Sequence, residues 1–223
     1  MKVMITGTSQ GIGKAIAEKF LQEGHTVIGI DRQAGTIEHA AYTHVACDVR
    51  DKERLPDVTD VQILINNAGV QNGDDIDVNL RALIDLTERY GVQENIRSIL
   101  HIGSASAHTG AEFPTYCASK GGVVAYTKNV AQRVARFGAT CNSLDPGGVL
   151  TPLNACVIED PVLWAQIMNE TPLRRWATPE EMADWAYFLT VTNSFCTGQS
   201  IVVDGGESIN YHFVWKADEA EKR

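Results

Sequence analysis

Along the chain, short runs rich in apolar residues alternate with stretches whose apolar residues recur every three or four positions. The runs are Val3–Thr6, Thr26–Ile30, His44–Cys47, Gln62–Ile65, Ser98–Ile102, Ala139–Leu144 and Ser200–Val203. They are too short for independent helices and lack the polar alternation of a strand with one wet face. Between them, Gly13–Glu23 places Ala15, Ile16, Phe20 and Leu21 on one helical face, and Gly24 follows where a helix end favours glycine. Ala118–Phe137 reads as a long helix closed by Gly138. Pro179–Thr190 reads as another, with proline in its first turn and Glu180 and Glu181 near its positive end. Strands apolar on both faces, separated by helices, predict an α/β fold with a doubly wound parallel sheet. No repeat, linker or composition break interrupts the pattern, so a single domain over 1–223 is expected. The connections Arg32–Ala41 and Val70–Val78 barely reach the dozen or so residues of a parallel crossover, and turns or single helical turns are expected there.

Composition narrows the function classes. Hydrophobic residues make up 44% of the 223 residues and charged ones 21%, as in ordinary globular proteins. A net charge of -9 argues against nucleic-acid partners, because an acidic surface repels phosphate. No apolar run reaches the roughly 18 residues of a membrane span. Met1–Ile5 enters an apolar strand at once, leaving no room for a signal peptide, so a cytoplasmic location is expected. The five cysteines are odd in number and scattered, which fits reduced thiols, and the six histidines show no metal-ligand spacing, so no metal is expected. The end, Lys216–Arg223, is charged, lacks aromatics and is expected to be flexible.

Three groups of residues point to chemistry. Thr6–Gly13 contributes Gly7, Ser9, Gln10, Gly11, Ile12 and Gly13 to a glycine-rich turn between a strand and a helix. There the backbone can approach a pyrophosphate and the helix N-terminus offers it unpaired N–H groups. Asp31 ends the second strand about 20 residues further on, where a carboxylate can hold adenosine ribose hydroxyls and repel a 2′-phosphate. NAD(H) is therefore favoured, while Arg32 beside it keeps NADP(H) open. Asp48, with Val49 after it, can meet the adenine through its side chain or the neighbouring backbone N–H, or can serve as a turn or cap residue. Tyr116 and Lys120, spaced i and i+4, share a helix face, where an ammonium would lower the phenol pKa and make a usable acid/base. Each group has a plainer rival: a tight turn, a solvated strand-end charge or an amphipathic surface pair.

Together these pieces resemble the short-chain dehydrogenase/reductase family. The resemblance runs from Lys2 to about Gly206 and rests on the cofactor turn, Asn66-Asn67-Ala68-Gly69, Asn79, Ser104, Tyr116 with Lys120, and Asp145-Pro146-Gly147-Gly148-Val149. It implies a Rossmann-type fold and a nicotinamide dinucleotide that carries the hydride. It implies Tyr116 as proton donor and acceptor, Lys120 as its support and nicotinamide-ribose anchor, Ser104 as hydrogen-bond partner of the substrate oxygen, and Asn79 as anchor of a relay water. Asn67, Ala68 and Gly69 would brace the sheet near the cofactor. Pro146, Gly147 and Val149 would face the nicotinamide, and Thr151 would bind its carboxamide. Ser106 rivals Ser104, since the spacing from Ser104 to Tyr116 is one residue short. Asp145 departs from the family, which usually has a small residue there. Cys117 reads as a packed thiol.

The segment 151–178 corresponds to the family's substrate lid. Its apolar residues, among them Leu153, Leu163, Trp164, Ile167, Met168 and Trp176, suit a hydrophobic, steroid-like alcohol or ketone, or else form plain core or a subunit contact. Tyr211, His212, Phe213 and Trp215 would close the pocket or pack on another subunit. A homodimer or homotetramer is expected, with the Ala118–Phe137 helix offering an apolar face. The reading is an alcohol dehydrogenase or ketone reductase using NAD(H). A 3-oxoacyl thioester reductase using NADPH is the rival among enzymes. A non-catalytic dinucleotide-binding scaffold or redox sensor is the rival outside them.

Overall fold

The computed structural model describes residues 1–71, 73–111 and 113–210. The aromatic tail from Tyr211 to Trp215 and the charged end 216–223 lie outside them. Strands β1 (Lys2–Thr6), β2 (Thr26–Asp31), β3 (Tyr42–Ala46), β4 (Ile63–Asn66), β5 (Ser98–Ile102), β6 (Thr140–Pro146) and β7 (Ser200–Val203) form one sheet in the order β3-β2-β1-β4-β5-β6-β7. All neighbouring pairs are parallel. The helices are α1 (Gly11–Gln22), α2 (Leu83–Leu86), α3 (Ser106–Thr109), α4 (Pro114–Val134), α5 (Ala155–Ile158), α6 (Pro161–Glu170) and α7 (Pro179–Tyr187).

The runs rich in apolar residues have a simple cause. Side chains alternate between the two faces of a strand, and here both faces are covered. Val3, Ile5, Ile63 and Ile65 pack with Ile16 and Phe20 of α1 and Met182 of α7. Their neighbours Met4 and Leu64 face the other way, into a second core with Leu86 of α2 and Val130 and Val134 of α4. Local signals fix several ends. Gly24 follows α1 with φ +79°, a conformation that side chains with a Cβ resist. Thr178 and Glu181 close a capping box at the start of α7.

The departures from the sequence reading are local. β3 begins at Tyr42 rather than His44, and as an edge strand it is only half-buried. α4 opens at Pro114, before the expected Ala118, because proline's fixed φ suits a first helical turn. The largest departure is a helical run that the sequence reading did not place: wide turns at Ile76–Ala82, then α2, then wide turns at Thr87–Gly91. The connection Val70–Val78, expected to hold turns or a single helical turn, runs into it. Arg32–Ala41 holds no strand or helix beyond the end of β2, as expected. Among the described residues no helix is long and apolar enough to cross a membrane.

Candidate active site

The strand order reverses between β1 and β4, and at such a point the loops leaving the strand ends part and leave a crevice. A cleft of about 840 Å³ opens there. Its walls include Gly7, Gln10, Gly11, Ile12, Asp31, Arg32, Asp48, Val49, Asn67, Ala68 and Gly69 at one end. Ser104, Tyr116, Lys120, Pro146, Gly147, Val149 and Thr151 line the rest. Three predicted residues stand behind the wall instead: Ser9, Gly13 and Asn79.

The phosphate turn is built for close approach. Gly7 and Gly11 have φ of +76° and +57°. A side chain on Gly13 would strike the Gly7 carbonyl and the Asn67 amide. Gln10 caps α1 without a side-chain hydrogen bond and the first turn has no acidic residue, so its N–H groups remain open to an anion. Ser9 is buried, and its hydroxyl donates to the Gln33 carbonyl at 3.4 Å. These features fit a dinucleotide pyrophosphate.

Asp31 works on the fold as well as at the cleft. Its carboxylate accepts from the Ser9 N–H and from the Gln33 N–H, each at 2.9 Å, fastening the phosphate turn to the loop after β2. Asp48 is held by Arg50, which donates to it from its backbone N–H, Nε and Nη2 at 2.8–3.0 Å. The Arg50 guanidinium brings the Asp48 pKa down to about 2. Arg50 also reaches Asp74 at 2.6 Å, tying the loop after β3 to the loop before the helical run at Ile76.

At the other end, Tyr116 and Lys120 project together from α4. Lys120 is fully buried, donates to the Ile102 carbonyl at 2.8 Å and lies 5.8 Å from the centre of the Tyr116 ring. Burial lowers its pKa to about 8 against the pull of Asp145 and Asp75. The phenol pKa lies above its ordinary value, contrary to the expectation of a lowered one. Burial is the main cause, and Asp75 and Cys117 add to it, while Ser104 opposes it through a hydrogen bond. Lys120 Nζ thus stands beside the Tyr116 ring and on the Ile102 carbonyl. Ser104 and Ser106 both line the cleft, and the Ser106 N–H donates to the Ser104 Oγ at 3.2 Å.

Asn79 clamps the wall. Its Oδ1 accepts from the Val70 N–H at 2.8 Å, and its Nδ2 donates to the Val70 carbonyl at 2.9 Å and to Ser119 Oγ at 3.1 Å. Sequence reasoning missed three groups. Asp75 is buried and accepts from the Thr115 hydroxyl at 2.8 Å, joining the helical run to the start of α4. His108 sits on Asp145. Glu207 and Ser208 follow the last motif and line the cleft. Only the acidic pair Asp74-Asp75 ahead of an apolar period hinted at the first. Of the apolar lid residues singled out in the sequence, Leu153, Ile167 and Trp176 reach the cleft. Val162 and Leu163 of α6 are exposed rather than core, and Trp164 packs edge-on against Trp176 with ring centres 5.1 Å apart. None of the five cysteines is joined in a disulfide among the described residues.

A family model described as Enoyl-(Acyl carrier protein) reductase matches residues 7–208. The 3-oxoacyl-[acyl-carrier-protein] reductase of Haemophilus influenzae is 30% identical, over 91% of this chain and 96% of its own length. The aldohexose dehydrogenase of Thermoplasma acidophilum superposes with a TM-score of 0.82 at 30% identity, covering 96% of each chain. A 4-hydroxyisoleucine dehydrogenase mutant solved with NADH and succinate superposes with a TM-score of 0.83 at 26% identity, covering 94% of this chain and 99% of its own. The chain belongs to the short-chain dehydrogenase/reductase family and is an oxidoreductase acting on the CH–OH/C=O pair with a nicotinamide dinucleotide.

Proposed function

We propose that the chain interconverts a secondary alcohol and its ketone with NAD(H), using Tyr116 as acid and base. The observation that carries this reading is the single cleft with Asp31 and the open turn at one end and Ser104, Tyr116 and Lys120 at the other. The dinucleotide, when bound, supplies or accepts the hydride. Gly7, Gln10, Gly11 and Ile12 would hold its phosphates, Asp31 the adenosine ribose, Asp48 and Val49 the adenine, and Pro146, Gly147, Val149 and Thr151 the nicotinamide. In the reducing direction Tyr116 gives its proton to the substrate oxygen while the Ser104 hydroxyl stabilises the developing charge. Its raised pKa keeps the phenol protonated and ready to donate. Lys120 carries the positive charge that favours the phenolate left behind. Asn79, together with Asn67, holds the Ala68–Val70 wall in place, and a relay water would rest on it.

NAD(H) preference rests on the Asp31 carboxylate facing the cleft, with Arg32 beside it as the route by which NADP(H) could enter. The substrate end favours a neutral alcohol with an apolar arm. Phe113, Leu153, Ile167 and Trp176 supply apolar wall, Thr109 and Ser208 supply hydroxyls, and Glu207 would repel a nearby anion. The second reading, a 3-oxoacyl thioester reductase, is favoured by the similarity to the Haemophilus influenzae enzyme. The protein is inferred to act in the cytoplasm as a homodimer or homotetramer.

The test is cofactor absorbance over time, with NADH and NADPH in parallel, against steroids, sugars, simple ketones and acyl thioesters. Tyr116→Phe is expected to lower kcat by about 10²- to 10⁴-fold while leaving NADH binding intact. Turnover that survives in the variant overturns the mechanism. NADPH-dependent turnover of acyl thioesters alone favours the second reading.

A further inference from the structure

The loop after β2 borders the adenosine end of the cleft and holds no helix, so its shape must be fixed by side chains. Arg32 and Gln33 line the cleft there, beside Asp31. Both Asp31 oxygens are taken by backbone N–H groups, Oδ2 by Ser9 and Oδ1 by Gln33. The Gln33 carbonyl accepts from the Ser9 hydroxyl at 3.4 Å and from His44 Nε2 at 3.0 Å. The Thr36 hydroxyl donates to the Ser9 carbonyl at 2.9 Å. Beyond His44, the hydroxyls of Tyr42 and Thr8 meet at 2.8 Å, and the Tyr42 hydroxyl lies 3.3 Å from His44 Nδ1. Thr8 is fully buried in the phosphate turn.

Tyr42 and His44 stand two apart on β3 and so project from one face of the sheet. Gly29 of β2, paired with His44, makes room for them: a Cβ there would strike both the Tyr42 and the Thr8 hydroxyls. Gly35 makes room where the loop crosses the His44 ring. The direction of these hydrogen bonds follows from their chemistry. A carbonyl only accepts, so His44 Nε2 carries the proton offered to Gln33. Nδ1 of the neutral ring then accepts, and Tyr42 gives it its one hydroxyl proton. The Tyr42 oxygen accepts in turn from Thr8. Thr8, Tyr42, His44 and Gln33 thus form one directed chain from the phosphate turn to the loop beside the ribose site. We propose that Tyr42 and His44 are positioning residues for cofactor choice: the chain holds Gln33, and through it Asp31 and Arg32, in the arrangement that tells a free ribose hydroxyl from a 2′-phosphate. Without the chain the loop settles around either cofactor, because the carboxylate can turn from a phosphate and the guanidinium toward it.

This inference rests on the reading of Asp31 and Arg32 as the residues that meet the adenosine ribose. Its test is binding rather than turnover. Full-length protein is titrated with NADH and with NADPH, and nicotinamide fluorescence gives both dissociation constants. A wild-type preference for NADPH overturns the NAD(H) reading alone, because the inference concerns how far the ratio of the two constants lies from unity. A wild-type ratio of unity overturns both. Tyr42→Phe keeps the ring and removes the hydroxyl. It should move the ratio toward unity by about 2- to 10-fold, the worth of one net hydrogen bond. His44→Phe should do the same. Thr8→Val, of similar shape without the hydroxyl, should follow them, and Thr8→Ser should restore the wild-type ratio. A merely structural tie between β3 and the phosphate turn would lower the melting temperature and weaken both cofactors alike, leaving the ratio unmoved. A ratio that stays, or moves away from unity, in folded Tyr42→Phe overturns the proposal. If that variant does not fold, the same result in folded Thr8→Val overturns it instead.

Discussion

At the scale of single residues, the same side chain often serves the fold and the site, and this decides how its substitution should be read. Asp31 braces the phosphate turn through Ser9 and Gln33 as well as facing the cleft. Asp31→Asn keeps the shape but removes the charge; it should weaken NADH binding by about 10- to 100-fold, as for loss of a charged hydrogen bond, and narrow the gap to NADPH. Nicotinamide fluorescence titrations with both cofactors measure this. His101 shows the opposite case, a titratable residue with only a structural place. It is fully buried between Thr127 at 2.9 Å and Thr87 at 3.3 Å, and burial lowers its pKa to about 3. Below about pH 6.5 the unfolded chain binds a proton that the folded chain refuses, so stability should fall as pH drops from about 6.5 toward 3. Melting temperatures across that range should show a slope that flattens in His101→Asn. Tyr116, Lys120 and Asp31 were legible in the sequence because their spacing to neighbouring motifs is fixed by local geometry. His108 was not, since its meaning comes from Asp145, 37 positions away.

At the scale of elements, chain punctuation carried most of the information. Gly24, Gly138 and Pro179 each sit at or beside a helix end. The capping box at Thr178 makes a direct test: Thr178→Ala should cost about 1 kcal/mol, read as a lower melting temperature with cofactor binding unchanged. The helical run through α2 was missed although Val78, Ala82, Leu86 and Tyr90 recur every fourth residue and are all buried. Charged neighbours such as Asp77, Arg81, Asp85 and Arg89 dilute the signal, and no proline marks its start. The conformation of the lid was equally hidden. Leu153, Val162, Leu163 and Leu173 remain exposed in the single chain, so their apolar character did not predict burial there.

At the scale of the whole molecule, exposed apolar residues gather around α7 and the edge strand β7. Trp185, Phe188 and Val202 are partly exposed and Phe195 is 96% exposed. Along α4, Ala118, Ala125, Lys128, Asn129 and Gln132 are exposed. Single exposed hydrophobes are ordinary, but a group of aromatics on one side favours association. Phe195→Asp should therefore lower the mass of the assembly in sedimentation, and an unchanged mass would place the contact elsewhere. The doubly wound architecture itself was readable because every strand must bury two faces, which leaves runs rich in apolar residues in the sequence.

The strand order has one more consequence, which concerns the chain while it is being made. β1 is synthesised first yet lies inside the sheet, between β2 and β4, with Val3 beside both Val27 and Ile63. Once residues 1–46 have emerged they can pair only as β3-β2-β1, and one side of β1 stays bare until Ile63–Asn66 follows. A bare parallel edge of Val, Met and Ile invites pairing with whatever strand is near. Translation that slows between residues 47 and 66 should thus favour aggregation among nascent chains on one messenger, even though the finished enzyme covers that edge completely.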